Sequence, residues 1–276
     1  MTFLVSQKRF FSLCSLLLFI LSSTTLQANT DIKIAVASNF HYSLTQLLKN
    51  YPKNKQIQFK LSSGSSGMLY AQIKQGAPFD LFLSADTVRP QLLEQDKLTL
   101  FRQTYALGKL ALWSNKTNLY KHPSNKSGSS KASYTEVLQY NKGKLAYANP
   151  KLAPFGLAAE QTLDSLKLKQ NNVILGNNVN QVFQFADSNN VDLGFIPLSL
   201  LIQAQQQLKQ EKYNHYWLIP NQHYQTIEQQ LVILKRSKHI HEVHRLVEYL
   251  LSPTVQSKLE KMGYTAVSTS LAGNNK

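Results

Sequence analysis

From Asp31 onward the chain alternates two textures. Short apolar runs, each roughly four to eight residues long, are followed by stretches in which apolar residues recur at every third or fourth position. The first texture predicts strands at Ile32–Ala37, Ile57–Leu61, Leu81–Ser84, Leu107–Trp113, Lys144–Ala148, Val191–Ile196, Tyr216–Ile219 and Gln230–Lys235. The second predicts helices at Tyr42–Asn50, Gly67–Gln75, Thr87–Gln95, Phe155–Leu168, Asn180–Ala186, His239–Leu251 and Pro253–Met262. Strand and helix in turn mean βα units and a parallel sheet. Two stretches break the rhythm. Ser114 to Ser133, rich in Ser, Asn and Lys, has no period and reads as a surface excursion, and Gln203–Lys212 reads as a polar helix or loop.

One stretch carries more than its share of chemistry. After the run Gln56 to Leu61 come Ser62-Ser63-Gly64-Ser65-Ser66-Gly67, and helical spacing then begins through Leu69 and Ile73, stopping at Gly76-Ala77-Pro78. A strand that ends in small hydroxylated residues and opens a helix makes an uncharged anion cradle. The first helical N–H groups have no intrahelical partner, serine hydroxyls add donors, and glycine lets an anion approach the backbone. The same order occurs at Ile34-Ala35-Val36-Ala37-Ser38-Asn39, before Leu44, Leu47 and Leu48. Two such cradles in one half of a fold suggest one oxyanion held between two helix ends. Read in isolation, the serine loop fits a helix cap equally well, and Ser38 fits an N-cap.

Composition narrows the setting. Lys8-Arg9, the apolar Phe10 to Leu21 and the small polar Ser22 to Ala28 have the layout of an export signal with a cut after Ala28. The apolar part is too short to span a bilayer, so a soluble exported protein is expected. The only cysteine, Cys14, lies inside this leader, so the mature chain is expected to have no disulfide, thiolate metal site or thiol nucleophile. The charge of +15 falls to about +13 with the leader gone. Its lysines are dispersed and do not alternate with aromatics, which argues against nucleic acid and leaves a role in steering anions.

The roughly 250 remaining residues suit two domains. A break near Tyr105–Lys109 and a return near Pro220–Gln229 divide the chain into a leader at 1–28, a first part of lobe 1 at 29–107, lobe 2 at 108–222 and a return to lobe 1 at 223–276. Ligands of such proteins sit where strand carboxyl ends face the crevice.

Three blocks, Val36-Ala37-Ser38, Gly64 through Ile73 and Gly76-Ala77-Pro78-Phe79-Asp80-Leu81-Phe82-Leu83-Ser84-Ala85-Asp86, closely resemble the periplasmic molybdate-binding proteins of ABC transporters. Leu145 to Pro150, Ala153-Pro154-Phe155-Gly156 and Asp192 to Ile196 follow in the same order, so the resemblance runs from about Asp31 to Tyr264. It implies an α/β fold of two lobes, the type II periplasmic binding-protein fold, each lobe a mixed sheet flanked by helices with the ligand cleft between them. It also implies a monomer that carries molybdate or tungstate to a membrane permease, without a cofactor, a metal cation or catalysis. Ser38 and Ser66 would then give hydroxyl and backbone donors, and Phe155 and Val179 would give backbone N–H groups. The family often places a tyrosine after the Leu-Gly-Phe strand, where this chain has Pro197. Proline has no hydroxyl or N–H to give, so Ser199, Asn39 or Asn180, with Ser65, are the candidates to complete the donor set.

Competing chemistries are weaker. Sulfate shares molybdate's donor pattern. A serine hydrolase would need an elbow of the Gly-x-Ser-x-Gly kind, and Gly64-Ser65-Ser66-Gly67 has the wrong spacing. Asp80 and Asp86 read as a strand-edge residue and a helix cap, not as a carboxylate pair. His241 and His244 share a helical face with charged neighbours, and Tyr213, Tyr216 and Tyr224 lack accompanying ligands for iron.

Overall fold

The structure, a computed structural model, describes residues 30–52, 56–116 and 132–267. The expected leader at 1–28 and residues 117–131 of the Ser/Asn/Lys-rich stretch lie outside the described residues. In chain order the elements are β1 (Thr30–Ala37), α1 (His41–Lys49), β2 (Ile57–Gly64), α2 (Ser66–Lys74), β3 (Leu81–Leu83), α3 (Val88–Gln95), β4 (Thr99–Gly108) and β5 (Leu110–Trp113). There follow α4 (Tyr134–Tyr140), β6 (Leu145–Ala148), α5 (Pro154–Ser165), β7 (Val173–Gly176), α6 (Val179–Asp187), β8 (Leu193–Pro197) and α7 (Leu198–Leu208). The last are β9 (Trp217–Leu218), β10 (Ile227–Leu234), α8 (Ile240–Leu251) and α9 (Pro253–Lys261).

The strands form two five-stranded sheets, ordered β2-β1-β3-β10-β4 and β7-β6-β8-β5-β9. In the first, β1, β2 and β3 are parallel and β10 is antiparallel to β3 and β4. In the second, β6, β7 and β8 are parallel and β5 is antiparallel to β8 and β9. Each sheet is therefore mixed, and each belongs to one lobe. The chain leaves the first sheet at Gly108, enters the second at Leu110, and returns between Leu218 and Ile227.

Alternation along the strands sets the two faces of the first sheet. Ile32, Ile34, Val36, Leu81 and Leu83 pack on one side with Leu44 and Leu47 of α1 and with α8 and α9. Ala35, Phe82, Val232 and Leu234 pack on the other with Leu69, Ile73 and Leu93 from α2 and α3. In α8, Val243, Leu246, Val247 and Leu250 recur at helical spacing and are buried. Each such side chain contributes about 1.5–3 kcal/mol on leaving water, which holds the C-terminal helices on lobe 1. The second lobe has its own core, built around Trp113, Leu145, Phe195 and Trp217.

The structure corrects several sequence expectations. Leu107–Trp113 is not one strand: Leu107 and Gly108 end β4 in the first sheet and Leu110 begins β5 in the second. The apolar run is continuous because it is buried on both sides of the crossing, so pattern alone hides the break. A Cβ on Gly108 would lie 2.7 Å from the Phe155 ring, which explains the glycine at the crossing. Most of β4 and all of β7 were not expected. Both are edge strands with weak alternation, and Ile174 and Leu175 of β7 are exposed. Helix α7 starts directly after Pro197, earlier than the polar segment suggested. Helix α4 does carry a sequence signal, because Ser133 and Glu136 form a capping box.

Candidate functional site: a crevice of helix N-termini

The parallel strands of both sheets aim their carboxyl ends at the space between the lobes. From lobe 1, β1 delivers Ser38 and Asn39, β2 delivers Gly64, Ser65 and Ser66, and Ala85 follows β3. From lobe 2, β6 leads into Ala153, Pro154 and Phe155, and β7 leads into Val179. These residues with Ala37 line a single small cleft of about 10 Å3. Ser38, Ser66, Phe155, Val179, Asn39 and Ser65 are thus brought together, with no charged side chain in the lining.

Three helices open onto the cavity, and their local bonding shows which donors remain. Ser66 is the first residue of α2, and Ser65 precedes it with φ −68° and ψ 150°. At an N-cap, a serine hydroxyl ordinarily accepts from the first turn of its own helix. The Ser65 hydroxyl makes no such bond, is buried, and has no hydrogen-bond partner among the described residues. A buried orphan hydroxyl is costly, and its position in the lining marks it as a donor awaiting an acceptor. The Ser66 hydroxyl accepts the N–H of Ala85 at 2.9 Å, which leaves its own hydrogen to give.

Helix α5 begins at Pro154, whose missing N–H costs nothing at a first helical position, and Phe155 comes next with an N–H that needs no intrahelical acceptor. Gly156 lets this helix lie against β6, since a Cβ there would sit 1.8 Å from the Ala148 carbonyl oxygen. In α6 the Asn178 side chain accepts the N–H groups of Asn180 and Gln181 at 3.0 and 3.1 Å. That leaves Val179, the first helical residue, with its N–H at the cavity.

Not every expected donor is placed this way. The Ser38 N–H is spent on the Gly64 carbonyl at 2.9 Å, continuing the β1–β2 ladder, so only its hydroxyl is available. Asn180, Pro197 and Ser199 do not line the cavity. Asn180 has its N–H tied to Asn178, Pro197 is the last residue of β8 opposite Leu110, and the Ser199 hydroxyl donates across the lobes to the Asn39 carbonyl at 3.4 Å.

Sequence reasoning missed the support beneath Asn39. The Tyr264 hydroxyl donates to the Asn39 carbonyl at 2.8 Å, and the Asn39 side chain donates to Gln229 Oε1 at 3.0 Å. Gln229 also accepts from the Tyr105 hydroxyl at 3.0 Å. Burial pushes the Tyr264 phenol up to about 12, against the opposing pull of its hydrogen bonds with Ser199, Ser43 and Asn39. Burial likewise raises the Tyr105 phenol. Both are therefore fixed neutral donors in ordinary conditions. No local motif announces them, because Tyr264 and Gln229 reach Asn39 from the far end of the chain.

A two-lobed α/β protein with an uncharged crevice of converging helix N-termini has the architecture of a protein that captures an anionic solute. Residues 32–265 match the family of bacterial extracellular solute-binding proteins, and the chain belongs to that family. It is similar to the molybdate-binding protein ModA of Azotobacter vinelandii, with 34% identity over 242 residues, covering 85% of this chain and 89% of that protein. It is also 28% identical over 239 residues to the molybdate-binding protein ModA of Rhodobacter capsulatus, covering 85% and 88% of the two chains. Among solved structures, the Azotobacter vinelandii periplasmic molybdate-binding protein superposes with a TM-score of 0.74 and 33% identity, covering 86% of this chain and all of that one. The sulfate-binding protein SubI of Mycobacterium tuberculosis shares the fold, with a TM-score of 0.67 at 11% identity over 87% of this chain and 88% of its own.

Proposed function

We propose that this chain captures molybdate, and tungstate with it, in the periplasm and delivers it to the permease of an ABC transporter. The observation that carries this reading is the lining of the cavity. Hydroxyls of Ser38, Ser65 and Ser66 and the helix-opening N–H groups of Ser66, Phe155 and Val179 surround it, with no cation and no carboxylate. Molybdate and tungstate are fully deprotonated dianions at neutral pH, and a set made only of donors matches them. Phosphate retains a proton, and the lining offers no carboxylate to accept it, which costs a phosphate roughly 1–3 kcal/mol relative to a site that does. The dianion's charge is spread over helix ends and peptide dipoles, so release at a transporter remains accessible.

The same lining supports a binding role over catalysis. It offers no His, Asp, Glu or Lys to act as a base beside a serine, and hydrolysis through Ser65 or Ser66 would have nothing to take the proton. No cofactor or metal cation is part of the proposal. The protein would act as an exported monomer cut near Ala28, with its excess of lysine and arginine steering anions at long range and not binding nucleic acid.

Titration calorimetry of the mature chain with molybdate, tungstate, sulfate and phosphate tests this. One molybdate or tungstate per chain, bound far more tightly than sulfate or phosphate, is the expected result. Preferential binding of sulfate, or no heat with any oxyanion, would overturn the assignment.

A further inference from the structure

Two hydrogen bonds run from lobe 1 to one short loop of lobe 2, and they end on consecutive carbonyls. Nη2 of Arg89, near the start of α3, donates to the Lys151 carbonyl at 2.8 Å. The Gly67 N–H, in the first turn of α2, donates to the Leu152 carbonyl at 2.9 Å. Neither side is loose. Arg89 pairs through Nη1 with the Asp86 carboxylate, which also accepts the Arg89 N–H at 3.0 Å and the Ser84 hydroxyl at 3.1 Å. The two side chains are only 17% and 13% exposed. On the other side the Lys151 N–H donates to Asn149 Oδ1 at 3.0 Å, and the N–H groups of Leu152 and Ala153 donate to the Asn149 carbonyl at 3.0 and 2.9 Å.

The gripped loop runs straight into Ala153, Pro154 and Phe155, the lobe 2 wall of the cavity, and Gly67 directly follows Ser66 on the lobe 1 wall. We propose that Arg89 and Gly67 are positioning residues that hold the lobe 2 donors in register with the lobe 1 donors, so that they slow release of the bound oxyanion without touching it. The inference rests on the oxyanion-binding reading above. A guanidinium fixed by a carboxylate and aimed at a carbonyl makes a charge-assisted bond of defined direction. Both bonds exist only while the lobes are in contact, so they belong to the escape step and not to the encounter.

Gly67 adds a steric condition. A Cβ there would lie 3.0 Å from the Leu152 carbonyl oxygen and 3.1 Å from its Cα, as well as 3.0 Å from Arg89 Nη2. Two of those three neighbours are backbone of the opposite lobe. A side chain at 67 therefore presses on the backbone of the opposite lobe, which must give by a few tenths of an ångström at the point where the lobes meet.

The test uses the mature chain, whose lack of cysteine allows dyes to be placed at Leu100→Cys in lobe 1 and Leu175→Cys in lobe 2, both exposed positions. Energy transfer between them reports lobe contact, and stopped flow with molybdate separates the two rates. Arg89→Ala is expected to release molybdate about tenfold faster while association stays within about twofold, and Arg89→Lys to recover part of the loss. Gly67→Ala is expected to stop short of the wild-type transfer at saturation, with its melting temperature checked to confirm folding. Wild-type release rates and wild-type transfer in both Arg89→Ala and Gly67→Ala would overturn the proposal. If the unsubstituted protein gives no heat with molybdate, the ligand assignment fails by itself, and the labelled set titrated with tungstate and sulfate still scores the contact. Transfer in the unsubstituted chain no higher than in Gly67→Ala under all three anions would then overturn it.

Discussion

Ser65→Ala separates a binding hydroxyl from a structural one. The Ser65 hydroxyl is buried, caps nothing and has no partner among the described residues, so its removal breaks none of the bonds seen there. If it exists to donate to an anion, the lost bond is one to a charged acceptor, worth about 1.5–3 kcal/mol, or roughly a 10- to 150-fold rise in Kd. The ligand-free protein should keep its melting temperature or gain slightly, because a buried unpaired group has been removed. Ser66→Ala is the natural contrast. It removes the acceptor of the Ala85 N–H, so it should weaken binding and also destabilise the free protein by about 1–3 kcal/mol. Calorimetry with molybdate and thermal melts of the free proteins measure both quantities. Unchanged affinity in Ser65→Ala, or a loss of stability as large as that of Ser66→Ala, would refute the reasoning.

Gly108→Ala should cost about 1–3 kcal/mol of stability, read by urea unfolding, because a Cβ 2.7 Å from the Phe155 ring overpacks the lobe crossing. Molybdate affinity should fall with it, since the ring and the donor N–H move together. Oxyanion affinity should be flat from about pH 6.5 to 9, because no titratable group lines the cavity and Tyr264, beneath it, is held up at about 12. A titration step within that range in calorimetry would place an ionising group against the ligand. Asp192 is held below its ordinary 3.8 by its bond with Lys116, assisted by the Lys144 N–H and opposed by burial. The unfolded chain therefore takes up the proton first, so this stabilisation is complete above about pH 4 and is lost as pH falls through the folded value. Acid unfolding of Asp192→Asn should show less dependence on pH below about 4 than the unsubstituted chain.

Legibility followed locality. Helices α1, α2, α5, α6, α8 and α9 and the inner strands were readable because each buries residues at a regular period against the body of its lobe. Edge strands β4 and β7 were not, because only one side of each is paired and their alternation is diluted. Ser38 and Ser66 stand out because a strand, a small-residue loop and a helix start are contiguous in sequence. The roles of Asn180, Pro197 and Ser199 could not be read, since the Asn178 cap, the partner strand of Pro197 and the carbonyl facing Ser199 decide them. The orphan state of Ser65 is equally invisible in the chain, because a cap and a free hydroxyl have the same residue pattern.

The order of residues determined by itself that strands end in hydroxyls and bare amides, that no cysteine lies beyond Cys14, and that apolar periods suffice for two α/β lobes. Only the folded arrangement decided which amides remain unspent, that Tyr264 and Gln229 brace Asn39 from the far end of the chain, and that Arg89 and Gly67 meet the loop of Lys151 and Leu152. The physical reason is the same in each case. A donor's availability depends on what its neighbours in space have already accepted, and those neighbours are set by the packing of two sheets whose strands are distant in sequence.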